Sequence, residues 1–255
     1  MHRSPILLSL LLLISSSFLY SQRNKQPEGT FYVFDENWKG TTIEKAVYLA
    51  REIKINDTCY KWDSYNFKGP LVKSETFKDD KATIPHGKFA FYDSNGNADS
   101  IGYYTNGLEN GTWYILNDTG KVIIEKKYDL GKLISVRDIL KEDSVNAKQD
   151  DNKDPKNEKE SEFPGSLGAW QRYLNHNLRY PDRALNMNKE GQVTIIFVVT
   201  EDGKIDDPTI LQSVEFSLDE EAMRIIRNSP NWVPAVKNDK KVKSYKKQPI
   251  VFRTS

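Results

Sequence analysis

The chain has 255 residues, 37 Lys and Arg against 36 Asp and Glu, 11% aromatic residues and a single cysteine. So even a charge balance gives no sustained field for nucleic acid or an anionic membrane surface, and a lone cysteine excludes an intramolecular disulfide. The length suits one large or two small domains.

Met1–Arg3 is a short basic start, Ile6–Tyr20 is Leu-rich and uncharged, and small residues at Ser15, Ser16, Ser17 and Ser21 close the run. That is the three-part plan of a secretory signal, 1–21, cut after Ser21 to leave Gln22 first, although Leu19 stands where a small residue is usual. The rival reading is an uncleaved membrane anchor. The apolar run is about 15 residues, shorter than the ~18 or more that a span needs. No other segment is apolar enough to cross a bilayer, so the chain reads as an exported protein. Cys59 reads as a small buried apolar residue, too far from the signal to carry a lipid.

Residues 28–138 are β-rich and carry an internal repeat. Phe31–Trp38 reads as a first strand and Ala46–Ile53 as a short amphipathic stretch. When His86–Glu109 is aligned with Asn110–Leu133, Gly87 falls on Gly111, Phe89 on Trp113, Gly96 on Gly120, Tyr104 on Tyr128 and Gly107 on Gly131, a period of 24 residues. Each unit predicts an aromatic strand, a turn at Asn95-Gly96 or Thr119-Gly120, a strand ending in Tyr, and a second glycine turn. Asn-Gly predicts a tight hairpin, because both central residues must accept positive φ. Consecutive hairpins then build one continuous antiparallel sheet. The pattern resembles MORN-like β-hairpin repeats, well for two units and weakly for a third around Tyr65, Phe67 and Gly69. The plainer role of Phe89, Tyr104, Trp113 and Tyr128 is packing in one row; the sharper one is a partner-binding platform.

A linker follows, 139–162. Lys141–Glu162 is almost wholly Asp, Glu, Lys, Asn and Gln, with no aromatic residue and one valine, too little apolar surface to offset chain entropy.

The last segment, 163–255, predicts a small α+β domain. Leu167, Trp170, Leu174 and Leu178 recur at helical spacing, and the helix stops at Tyr180-Pro181. Pro181 opens a second short helix through about Met187, closed by Gly191. Gln192–Thr200 is a strand with Val193, Ile195, Phe197 and Val199 on one face and Thr194, Ile196 and Val198 on the other, apolar enough on both to be central. Asp202-Gly203 turns into a second strand, Lys204–Gln212. Ser217 and Glu220 read as a capping box for a helix with the stripe Leu218, Ala222, Ile225, Ile226. Tyr245–Arg253 is a last strand, and Pro249 within it makes it an edge, a template for another chain. The whole is α+β: an all-β hairpin-repeat segment, then a small antiparallel sheet with helices packed on one face.

In this order Tyr180-Pro181, Glu190-Gly191-Gln192-Val193, Val199–Gly203, Leu218-Asp219-Glu220-Glu221-Ala222, Trp232-x-Pro234-Ala235 and Pro249-Ile250-Val251-Phe252 resemble the successive signature segments of the TonB C-terminal domain, over about 90 residues. Phe163-Pro164-Gly165 resembles the lead-in of one branch of it. The resemblance implies a periplasmic protein that grips the TonB box of an outer-membrane transporter, or another envelope protein, by strand addition, in energy-coupled transport. Carried over, the partner-binding residues are Tyr245, Lys246, Lys247, Ile250 and Val251 on the last strand, with Asn177, Leu178, Arg179 and Tyr180 facing the box region. Lys246 and Lys247 also read simply as solubilising edge charges, and Trp232 as core. A homodimer through the same edge is a further pairing it permits. Energy-transducing members keep an uncleaved N-terminal helix that engages an inner-membrane motor, and then a long proline-rich spacer. Here the apolar run is short and a repeat region follows it. The motor is therefore a partner only if the N-terminal segment stays uncleaved, which would hold the chain at the inner membrane facing the periplasm. The alternative function is an envelope structural or interaction protein that binds its partner through the hairpin repeats, without energy transduction.

An enzyme is not expected. His2 lies in the signal, leaving His86, which takes the turn position that Asn110 fills one repeat later, and His176 on the polar side of its helix. No nucleophile, phosphate loop or metal-ligand spacing accompanies them, so no cofactor or metal is expected.

Overall fold

The computed structural model describes residues 29–141 and 158–254. The signal segment 1–21 and most of the linker, 142–157, lie outside the described residues.

β1 (Thr30–Phe34), β2 (Tyr48–Asn56), β3 (Cys59–Asn66), β4 (Leu71–Phe77), β5 (Gly87–Tyr92), β6 (Ala98–Thr105), β7 (Leu108–Leu116), β8 (Val122–Asp129) and β9 (Lys132–Asp138) form one nine-stranded antiparallel sheet in chain order. The stretch Ala46–Ile53 supplies most of β2 rather than a separate amphipathic segment. Cys59 is half-buried at the start of β3, where a strand end leaves it more open than a core position would.

The repeat uses two kinds of turn. Asn106-Gly107 and Leu130-Gly131 are two-residue turns with φ of 52°, 84°, 44° and 86°, the left-handed pair that a tight hairpin demands. At Asn95-Gly96 and Thr119-Gly120 only the glycines are left-handed, at 83° and 69°. The difference lies in the preceding side chain. Asp93 Oδ1 accepts the N–H of Asn95 and of Asn97 at 2.9 and 2.8 Å, and Asn117 Oδ1 those of Thr119 and Lys121 at 3.1 and 2.9 Å. An Asx acceptor of this kind stabilises a longer loop with a glycine bulge, so Asn95-Gly96 is not the tight turn its dipeptide predicts. His86 braces a turn in the same manner: its Nδ1 accepts from the Asn106 N–H at 3.3 Å, and one repeat later Asn110 Oδ1 accepts from Leu130 N–H at 3.3 Å.

The aromatic row packs as one layer. Phe77, Phe89 and Trp113 are buried on one face with Trp62, Phe91, Tyr104 and Tyr128 against them. Gly102 admits the Trp113 indole, since a Cβ there would lie 2.0 Å from the ring.

The terminal unit holds α1 (Ser166–Asn177), α2 (Asp182–Asn186), β11 (Gly191–Val199), β12 (Ile205–Gln212), α3 (Phe216–Arg227) and β15 (Ser244–Phe252), with a small side sheet of β10 (Glu158–Lys159), β13 (Ala235–Lys237) and β14 (Lys240–Val242). Its main sheet runs β12-β11-β15. Glu158 pairs with Lys237 and Lys159 with Val236, and Glu162 exchanges main-chain bonds of 3.1 and 2.8 Å with Val233. The end of the segment read as linker is thus paired into the terminal unit.

Val193, Ile195, Phe197 and Val199 are at most 1% exposed, and Leu218, Ala222, Ile225 and Ile226 meet them at 0%. Each large apolar side chain so buried is worth about 1.5–3 kcal/mol. The stripe of α1 differs from expectation. Trp170 is buried but Leu167 is 73% exposed, because Phe163 fills that corner, its ring 5.2 Å from Trp170 and 5.6 Å from Trp232. The cap of α3 also moves. Glu215 is the N-cap and accepts from the Ser217 N–H at 2.8 Å, while Glu220 is drawn away by Arg51 of the hairpin sheet.

That contact is one of many between the terminal unit and the hairpin sheet. Leu49, Tyr65 and Leu71 of the hairpin sheet enter the same core as Val193 and Ile225.

Candidate functional site

The hairpin sheet decides which parts of the terminal sheet remain accessible. Arg51, 4% exposed, donates to Glu220 at 2.5 and 2.6 Å and to Asp63 at 3.2 Å, with its guanidinium 5.2 Å from the Phe216 ring. Burial pulls the Arg51 pKa down, and the Glu220 bonds more than offset it. Burial pushes the Asp63 carboxyl up, yet Lys61 and Arg51 hold it below its ordinary value. Nearby, the Leu71 N–H donates to Ser213 Oγ at 2.7 Å, and Ser213 Oγ to Asp219 at 2.5 Å. Burial drives Asp219 up to about 8, against the Ser213 and Val214 bonds that favour its ionised form.

Along β12 the contact becomes strand-like. Asn97 forms a bridge with Gln212, the Ser213 N–H donates to Gly96 O at 2.8 Å, and Tyr92 OH donates to Ile210 O at 2.9 Å. The turn between β5 and β6 therefore caps the end of the β12 margin.

The opposite margin, β15, is open. It pairs with β11 in unbroken register from Gly191↔Phe252 to Val199↔Ser244, and among the described residues no strand pairs with its other side. Pro249 fixes which groups face outward. A proline leaves a ladder intact only where its missing N–H would point away from the neighbour, so Thr194↔Pro249 is a non-hydrogen-bonded pair. In antiparallel pairs the two kinds alternate. Lys246, Gln248, Ile250 and Phe252 therefore bond to β11, whereas Tyr245, Lys247 and Val251 turn their N–H and C=O groups outward.

The expected site residues separate accordingly. Tyr245 is 74% and Val251 44% exposed, and Ile250 is 0% exposed with its side chain in the core. Lys246 lies on the inner face, 3.8 Å from Glu160. Lys247 reaches the hairpin sheet, donating from Nζ to Gly120 O at 2.5 Å, and burial holds its pKa below the ordinary lysine value. The segment before Pro181 is tied to α3 instead: Asn177 O accepts from Arg224 at 2.6 Å, the Arg179 N–H donates to Glu221 at 2.7 Å, and Leu178 packs on the core. Tyr180 touches β15, its ring 5.9 Å from Phe252. The nine residues thus do not converge on one patch.

Sequence reasoning also missed a groove. A groove of about 640 Å³ opens between the outer face of the terminal sheet and β6–β8, lined by Tyr103, Tyr114 and Val122 on one side and Leu211, Tyr245 and Lys247 on the other. Lys88 closes one end, bonded to Asp207 at 2.8 Å and to Thr209. Burial and then Asp207 push the Tyr103 phenol up to about 12. No local signal marks these residues, because the wall exists only once two distant segments dock. Among the described residues no His, Cys, Asp and Glu cluster suits a metal ion, and no helix is long and apolar enough to cross a membrane.

The terminal unit is thus a small α+β fold with one sheet margin capped and the other left with a row of unpaired main-chain groups. Residues 176–254 match the family described as Gram-negative bacterial TonB protein C-terminal. Similar solved structures are two NMR solution structures of the Helicobacter pylori TonB C-terminal domain. One is 24% identical, covers 34% of this chain and 91% of that one, and has a TM-score of 0.29; the other is 23% identical, covers 36% and 87%, and has a TM-score of 0.27. No curated protein matches the chain.

Proposed function

We propose that this chain is a TonB-like periplasmic adaptor, exported by its cleaved segment 1–21, that binds outer-membrane transporters by adding their extended box segment to β15. The open margin of β15 carries this reading. An added strand gains main-chain hydrogen bonds from the outward groups of Tyr245, Lys247 and Val251, and Pro249 keeps that side free of any bond to β11. A homodimer through β15 competes for the same groups. The domain acts by binding rather than catalysis. Energy coupling through an inner-membrane motor requires an uncleaved N-terminal segment, and Met1 retained in the membrane fraction is the observation that would bring it in.

The test is titration of the full chain with a TonB-box peptide, followed by amide resonances. Shifts confined to β15 and its flanks support the reading. Saturable binding that leaves β15 unperturbed refutes it. That second outcome favours the other reading, an envelope interaction protein working through MORN-like hairpins, for which the half-exposed Leu133, Ile134 and Val136 of β9 are the supporting observation.

A further inference from the structure

The outward groups of β15 specify an extended guest but not its side chains. The groove beside them does. In a strand added to β15, the residues opposite Tyr245, Lys247, Pro249 and Val251 project on the same face as those four. That face is the one turned toward the hairpin sheet, because Lys247 reaches Gly120 in the turn between β7 and β8, and Tyr245 and Lys247 both line the groove.

Two properties of that space are set by this chain's own residues. Its far wall is aromatic and aliphatic, with Tyr103, Tyr114 and Val122 facing it. Its charge is unbalanced at the rim. Lys88 is neutralised by Asp207, and Glu125 by Arg137 at 2.9 Å. Lys247, by contrast, has no carboxylate partner among the described residues, its Nζ resting on a carbonyl. The approach along β14 and β15 is basic as well: Glu158 pairs with Lys237 at 3.0 Å and Glu160 lies 3.8 Å from Lys246, which leaves Lys240, Lys241 and Lys243 beside Lys247 against Asp239.

We infer that the hairpin sheet is the second wall of the partner site, and that the guest is an extended acidic segment of another protein. Its alternate residues are apolar toward Tyr103 and Tyr114, and one of them is a carboxylate that meets Lys247. The inference rests on strand addition at β15 and adds the side-chain chemistry of the guest. It also gives the repeat region a part in recognition, beyond support.

The experiment uses the full chain and an acetylated, amidated octapeptide that alternates threonine with Val, Val, Glu and Val, together with a version carrying Lys for Glu. The Glu peptide is expected to bind more tightly. Lys247→Glu is expected to weaken it about fivefold, as for a rim ion pair, and to reverse the preference in favour of the Lys peptide. Tyr114→Ser, a change in the hairpin sheet alone, is expected to weaken both peptides roughly tenfold through lost aromatic contact. The charge-swap rescue keeps the test valid even if Tyr114→Ser perturbs the sheet. If the Glu peptide shifts the β15 amides but neither substitution changes affinity, the second wall is refuted while strand addition stands. If no peptide shifts β15, both fall.

Discussion

Gly96 and Gly107 provide an internal control for docking between the hairpin sheet and the terminal unit. Their φ angles are 83° and 84°, so alanine at either carries the same left-handed backbone cost of about 1–2 kcal/mol. Their surroundings differ. A Cβ on Gly107 meets nothing within 4 Å, whereas one on Gly96 would lie 2.5 Å from Ser213 O and 2.6 Å from Pro70 Cβ. Relief of that contact moves the turn off β12, losing the 2.8 Å bond from Ser213 N–H to Gly96 O, about 1 kcal/mol. The residual crowding adds about 1–3 kcal/mol. Gly107→Ala should therefore cost about 1–2 kcal/mol and Gly96→Ala about 3–6 kcal/mol, read from urea unfolding of the full chain. Of the excess of at least about 2 kcal/mol, the lost Ser213–Gly96 bond and the crowding against Ser213 O are the docking contribution, whereas the crowding against Pro70 lies within the hairpin sheet. Equal costs for the two variants would show that the turn does not bear on β12 in solution and would refute the capped margin.

Three further outcomes follow from the same contacts. Arg51→Ala strands the buried Asp63 carboxylate beside Glu220; Lys61 remains 2.9 Å from Asp63, so the loss should sit near about 3 kcal/mol, the low end for a broken buried pair, and urea unfolding should show it, with a loss under 1 kcal/mol arguing against the buried cluster. Asp219 has its folded pKa raised from 3.8 to about 8, so its neutral form favours the fold fully below the unfolded value, and that contribution is lost as pH rises through 8. Asp219→Asn should therefore gain stability relative to the parent by about 1.4 kcal/mol per pH unit between pH 5 and 7.5, and a pH-independent difference in denaturation midpoints would contradict it. Val251→Pro removes an outward N–H without touching the β11 ladder, so box-peptide affinity should fall several-fold with a stability change within about 1 kcal/mol; unchanged affinity by calorimetry would mean the guest does not pair there.

Local regularities in the sequence carry much of this architecture. The alternation Val193, Ile195, Phe197, Val199 identifies a central strand, and Pro249 alone identifies the edge, since both signals act within one element. The glycine period of the hairpins is equally local. What the sequence does not disclose is created by contacts between distant segments. Glu220 reads as half of a capping box until Arg51, 169 residues away, takes it. Leu167 reads as part of a stripe until Phe163 occupies its corner. Asn95-Gly96 reads as a two-residue turn because the dipeptide dominates the signal, although Asp93 decides the loop. Of the site residues, Tyr245, Lys247 and Val251 have outward groups because they share the phase of Pro249, and Lys246 and Ile250 do not. The groove wall at Tyr103 and Tyr114 had no local signature, their aromatic character being equally suited to a core.

Pro249 has one further effect. It leaves a gap in the row of outward donors, with N–H groups at Lys247 and Val251 and none between them. Any added strand that spans residues 247–251 sets one of its carbonyls against that gap and forfeits a bond of about 1 kcal/mol. The cost is the same in every alignment, so the choice among alignments falls to the visitor's side chains rather than to the backbone of this margin.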